Sequence, residues 1–176
     1  MKTRKLVMVT TLIAVIMFSQ KAKAQTTIGA GLVYGTEIKS AGINAVGQFF
    51  VKENIAIAPS FTYYFPKKLA GDFSLKWYEI NADVNYYFNA GGNIKPYGLG
   101  GINVSIVSIP TFNFGGLFGG GGVGSGSTSV SRFGINLGGG ADFDMGSGVT
   151  PFAQLKYTTS YTGQLAIEAG VRFKIK

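Results

Sequence analysis

From Tyr78 to Phe88 the chain reads YEINADVNYYF, and its polarity switches at almost every residue. Tyr78, Ile80, Ala82, Val84, Tyr86 and Phe88 are apolar or aromatic, whereas Glu79, Asn81, Asp83 and Asn85 alternate with them. Successive side chains of a strand point to opposite faces, so a period of two predicts a strand with one apolar and one polar face. Aromatic rings stand at both ends of the apolar face and small aliphatic groups between them. That order suits a strand crossing a bilayer, whose two interfaces attract aromatic rings.

The same phase predicts eight strands after Gln25. The first covers 27–35, with Ile28, Ala30, Leu32 and Tyr34 on one face. The second, 42–51, turns Ile43, Ala45 and Phe49 outward and Asn44 and Gln48 inward. The third, 55–65, sets Ile55, Ile57, Pro59, Phe61, Tyr63 and Phe65 against Ala56, Ala58, Ser60 and Thr62. The fourth is the segment above. In the fifth, 95–106, Ile102, Val104 and Ile106 alternate with Asn103 and Ser105. Upstream Gly98, Gly100 and Gly101 blur the phase, which turns Leu99 inward and suggests a bulge. The sixth, 132–144, has Phe133, Ile135, Leu137, Ala141 and Phe143 outward, with Arg132, Asn136 and Asp142 opposite. The seventh, 150–158, turns Gln154 and Lys156 inward; the eighth, 164–175, turns Gln164, Glu168, Arg172 and Lys174 inward.

The connections form two classes. Those at 52–54, 89–94 and 145–149 are short and turn-like, rich in Gly and Asn. The alternate set, at 36–41, 66–74, 110–129 and 160–162, contains the two longest. Transmembrane barrels show this asymmetry, with short periplasmic turns and longer outer loops. The aromatics sort the same way. Tyr34, Phe61, Tyr63, Phe65, Tyr78, Phe133 and Tyr157 fall toward the long loops, and Phe49, Tyr86, Phe88, Phe143 and Phe173 toward the short turns.

The N-terminus has the three parts of a secretory signal. Lys2, Arg4 and Lys5 are followed by an apolar run from Leu6 to Phe18 and by Ala22-Lys23-Ala24. The run is shorter than the roughly 20 residues of a transmembrane helix, and no Cys follows it to take a lipid. Cleavage is expected after Ala24, giving a leader of 1–24 and one barrel domain of 25–176. The leader also accounts for the basic balance. The whole chain carries 16 basic and 8 acidic residues, a net charge of +8. Five of the basic residues and none of the acidic ones lie in 1–24, leaving a net of +3. A nucleic-acid partner therefore has no support.

Chemistry is bounded mainly by exclusions. His and Cys are absent, so neither a Ser-His-Asp nor a Cys-His nucleophile can be built, and no His or Cys metal site. No cofactor or metal is expected. The inner face carries Glu79, Asp83, Arg132, Asp142, Lys156, Glu168 and Arg172. Buried charges of both signs must be paired or hydrated. An eight-stranded barrel is only wide enough for side chains to fill, so these charges are expected to form a network that plugs the lumen. Lys156 and Glu168, on neighbouring strands, can pair directly. The glycine-rich stretch from Phe112 to Ser127 lacks the Gly-Lys-Ser/Thr ending of a phosphate loop and reads as a surface loop. Phe112, Phe114, Leu117 and Phe118 are unusual in such a loop, and together with Lys67 and Lys68 are candidates for outer contacts.

The chain resembles the small outer-membrane β-barrel proteins, the eight-stranded group of the OmpA transmembrane domain and OmpX-like barrels. The leader, the alternation, KPYGLGG at 95–101, TPFAQLKY at 150–157 and LAIEAGVRFKI at 165–175 carry the likeness. Family members commonly end on an outward aromatic; here Phe173 or Ile175 takes that place. The expected fold is an all-β, eight-stranded antiparallel up-and-down transmembrane barrel in the bacterial outer membrane. The expected role is non-enzymatic, structural or in surface interaction. The expected partners are outer-membrane lipid, lipopolysaccharide and the barrel-assembly machinery. A narrow porin-like channel or transporter, which predicts conductance or a side opening among Gly98, Gly100 and Gly101, is the alternative. A soluble carrier of the lipocalin type is the third reading, against which the inward charges argue.

Overall fold

A computed structural model describes residues 26–68, 74–88, 92–111, 126–160 and 163–175. The expected leader and Phe112, Phe114 and Phe118 lie outside these residues. Lys67 and Lys68 close a strand, but their side chains are outside the description.

Eight strands close on themselves: β1 (Thr26–Gly35), β2 (Ser40–Lys52), β3 (Ile55–Lys68), β4 (Ser74–Tyr87), β5 (Ile94–Thr111), β6 (Gly126–Phe143), β7 (Val149–Thr158) and β8 (Gln164–Ile175). Each is antiparallel to the next, and β8 returns to β1 along a register that pairs Gly29 with Arg172 and Val33 with Glu168. Closure removes the exposed edges that an open sheet would leave.

Polarity is inverted relative to a water-soluble fold. Ile28, Leu32, Ile80, Val84, Ile135, Leu137 and Ile167 lie exposed on the outer wall, while Glu79, Asn81, Asp83, Asn103, Asn136, Lys156 and Arg172 are buried inside. The alternation that built each strand also assigned it these two faces. Paired tyrosines split between them: Tyr63 and Tyr86 face out, whereas Tyr64 and Tyr87 are buried. On the outer wall Tyr63 stacks on Tyr78 at 5.1 Å, and Tyr86 meets Phe88 edge-on at 5.4 Å near the short turns.

β5 differs from expectation. Its register with β4 and β6 is unbroken, so there is no bulge and no gap at Gly98, Gly100 or Gly101. The glycines keep the phase: Leu99 is buried and Tyr97 is buried beside it. Irregularities sit instead at the end of β2, between Phe50 and Lys52, and near the outer end of β3, between Tyr64 and Lys67. The hairpin of β5 and β6 also runs further outward than alternation suggests, to the pair Thr111 and Gly126. At the opposite end, Gly146 adopts φ 69° and its N–H bonds to Asp144 Oδ1 at 3.0 Å, a left-handed turn position that favours glycine.

Candidate functional site

The interior of the barrel is the place where chemistry-bearing groups converge. Its inner wall is lined by the polar phase of all eight strands, and glycines on that phase make room for the longest side chains. An added Cβ at Gly29 would come within 2.9 Å of Arg172 Cγ. One at Gly138 would come within 2.9 Å of Lys156 Cα, and one at Gly140 within 2.7 Å of Gln154 Cβ and of the Tyr97 hydroxyl. The Gly-rich inner face of β6 is therefore a set of recesses under β7 and β5.

Toward the outer mouth, Gln164 Nε2 donates to the Tyr64 hydroxyl at 2.9 Å and to Glu79 Oε1 at 3.3 Å. Trp77 Nε1 donates to the same Glu79 oxygen at 3.2 Å. Below this, Asn81 Oδ1 accepts from Asn103 Nδ2 at 2.7 Å and from Asn136 Nδ2 at 2.9 Å. Asn136 Nδ2 also donates to Asp83 Oδ1 at 2.7 Å, and Thr158 donates to Asn136 Oδ1 at 2.7 Å.

Lys156 is fully buried between two carboxylates, with Nζ 3.2 Å from Glu168 Oε1 and 3.7 Å from Asp83 Oδ2. Gln154 links this cluster downward, donating to Glu168 Oε2 at 2.7 Å and accepting from the Tyr97 hydroxyl at 2.8 Å. Arg172 closes the lower lumen. It pairs with Asp142, donates through Nη2 to the Tyr97 hydroxyl at 3.2 Å, and lies 4.0 Å over the Phe152 ring. The Tyr87 hydroxyl donates to Asp142 Oδ2 at 2.8 Å and accepts from Gln48, whose Oε1 accepts from Thr27 at 3.2 Å. Removing any single partner of charges held this way is costly, because the charge left behind is cut off from bulk water.

Six of the seven inner-face charges read from the sequence are buried together: Glu79, Asp83, Asp142, Lys156, Glu168 and Arg172. Arg132 departs from that reading. It has the inward parity, opposite Ser105, but its side chain is exposed. The reason is height: β7 ends at Thr158, opposite Asn136, and Thr159 and Ser160 carry the chain on beside Ile135 and Gly134, two residues below Arg132. Tyr64, Tyr87, Tyr97 and Phe152 are lumen residues that the charge-centred reading passed over. The strand phase alone contained the signal for them. Among the described residues, no group of three or more His, Cys, Asp or Glu is arranged to hold a metal ion.

No protein-family model matches the chain, and no curated protein matches it. Solved structures do. The fold is that of the small outer-membrane β-barrels. Neisserial surface protein A superposes with a TM-score of 0.65 at 16% identity, over 88% of this chain and 98% of its own. The N-terminal β-barrel domain of Pseudomonas aeruginosa OprF gives 0.61 at 15% identity, over 87% of this chain and 100% of its own. Ail, the attachment invasion locus protein of Yersinia pestis, solved with the heparin analogue sucrose octasulfate, gives 0.57 at 15% identity, over 86% and 100%. Such low identities carry the architecture and not the chemistry of the loops.

Proposed function

We propose that this protein is a sealed, non-enzymatic barrel of the bacterial outer membrane that acts through its outer loops. The inverted polarity carries the reading. A wall of Ile, Leu, Val and aromatic side chains is costly in water and favourable in lipid, and the polar groups that a strand must also carry are turned inside, where they pair with one another across the lumen. The absence of His and Cys supports a non-catalytic role. A porin-like path is disfavoured, because Lys156, Arg172 and their partners fill the cross-section.

The leader at 1–24 is proposed to direct export, with the assembly machinery inserting the barrel. Lys67 and Lys68 are proposed to meet lipopolysaccharide phosphates, and Phe112, Phe114 and Phe118 to enter its apolar layer or a surface partner.

The test is fractionation followed by planar-bilayer recording. Three results are expected: N-terminal sequencing starts at Gln25, detergent is needed to extract the protein from outer membranes, and unheated samples migrate faster on gels than heated ones. Single-channel steps from the wild type, lost in a Glu79→Ala/Glu168→Ala variant, would replace this reading with the channel. Release by osmotic shock without detergent would replace it with a soluble carrier.

A further inference from the structure

Inside the barrel, walled by β2, β3, β4, β7 and β8, lies a cavity of about 10 Å³. That is room for about one water molecule. Six buried side-chain atoms among the described residues lack a hydrogen-bond partner, and four of them belong to residues lining this cavity: Asn44 Oδ1, Asn85 Oδ1, Glu168 Oε1 and Arg172 Nε. All four residues are at least nine-tenths buried. Buried polar atoms rarely stay bare, because each would bear its full desolvation penalty.

Three of these side chains are engaged through their other polar atoms. Asn44 spends its amide nitrogen on Thr62 at 2.9 Å. Arg172 spends its terminal nitrogens on Asp142 and Tyr97. Glu168 accepts from Gln154 through its other oxygen.

We propose that one internal water occupies this cavity, accepting from Arg172 Nε and donating to Asn44 Oδ1 and Asn85 Oδ1. The balance of donors and acceptors selects water. Arg172 Nε is a donor, so its partner must offer a lone pair, which a bare metal cation lacks. An anion is disfavoured by the Asp83 and Glu168 carboxylates on the same wall. A water has two protons for the two amide oxygens, and Glu168 Oε1 is already faced by the Lys156 ammonium at 3.2 Å. The water ties three strands together across the lumen and completes the plug without a further side chain.

The test is solution NMR of the isotope-labelled barrel in lipid nanodiscs, reading water contacts at the Asn44 and Asn85 side-chain amides and at Arg172 Nε–H. Cross-peaks to water with NOE and ROE of opposite sign, the mark of a water held for longer than about a nanosecond on the scale of internal motions, are expected. Absence of these peaks at all three groups overturns the proposal. So does a shift of the Asn44 and Asn85 signals when choline chloride is replaced by sodium chloride, which would put a cation there. Ala58 lines the same cavity, and Ala58→Val is expected to remove the cross-peaks by filling it. Their persistence in that variant would place the water elsewhere and sink the assignment. Should Ala58→Val fail to fold, the wild-type spectra decide alone.

Discussion

Gly101 and Asp83 are cross-strand partners, and the missing side chain of one is the space occupied by the carboxylate of the other. A Cβ on Gly101 would collide with Asp83 Oδ1 and lie 2.6 Å from Asp83 Cα. Asp83 cannot retreat freely, because it holds Asn136 at 2.7 Å and faces Lys156 at 3.7 Å. The adjacent Gly100 points outward, where a Cβ would meet only Asn136 O at 3.9 Å. Gly101→Val is therefore expected to cost about 1–3 kcal/mol by overpacking. Gly100→Ala is expected to stay within about 0.5 kcal/mol of wild type. Urea unfolding in lipid vesicles, followed by Trp77 fluorescence, separates the two. Equal losses would mean that these glycines serve the backbone of β5 and not the Asp83 carboxylate.

Lys156 offers a second test of the plug. It is fully buried, and its ammonium is the group that stands between Asp83 and Glu168. Lys156→Met leaves two carboxylates facing each other without a cation, a change expected to cost about 3–5 kcal/mol. Adding Asp83→Asn and Glu168→Gln removes the stranded charges and should recover most of the loss. A Lys156→Met barrel with unchanged unfolding midpoint would show that the two carboxylates do not depend on the ammonium.

The architecture was legible in the sequence because one force, the apolar outer wall against a polar interior, wrote a period of two into every strand. β8 was bounded at 164–175 from alternation, and it spans Gln164–Ile175. The reading stopped short where that force fades. Beyond the apolar band the row of outward apolar residues ends, and alternation bounded β3 at 65, β5 at 106 and β6 at 132, whereas the strands reach Lys68, Thr111 and Gly126. The position of Arg132 was missed for a related reason, since parity tells which face a residue takes but not how high its neighbour reaches. Contacts across the lumen, such as Gln164 with Tyr64, depend on barrel closure and on register around the ring. No local pattern contains those.

At the turn end, Lys95 at the start of β5 and Asp144 just after β6 form an exposed ion pair at 2.7 Å. The hydrogen bond from Lys95, helped by the Gly146 N–H, holds the Asp144 carboxyl below its ordinary value. A depressed folded-state value stabilises the fold above the unfolded-state titration point, about pH 3.9, and the benefit disappears as pH falls through the folded-state value. Solvent screens the pair, so Asp144→Asn is expected to cost less than about 1 kcal/mol at neutral pH and nothing once pH has fallen through the folded-state value. Following the Asp144 carboxyl carbon by NMR from pH 6 to 2 should give a midpoint below that of an unpaired Asp. In a Lys95→Met variant the midpoint should rise toward the ordinary range. An unmoved midpoint would assign the shift to the turn backbone alone.

The sharpest test of the proposed setting uses the outer wall itself. Leu137 lies between Phe133 and Phe143 on the outward face of β6, inside both aromatic girdles, and is 70% exposed. On a water-facing surface, exchanging such a residue for Arg changes stability by no more than about 0.5 kcal/mol. At the midplane of a bilayer the same exchange costs about 2–4 kcal/mol, falling to about 0–1 near the interfaces. Leu137→Arg and Met145→Arg therefore form a depth-resolved pair, since Met145 is equally exposed, at 68%, but sits in the turn beyond the girdle. In phospholipid vesicles the first should lower the urea midpoint strongly and the second barely. If Arg at 137 is tolerated as readily as Arg at 145, the apolar wall does not face hydrocarbon. The exposed row from Ile135 to Phe143 would then have to be covered by protein instead.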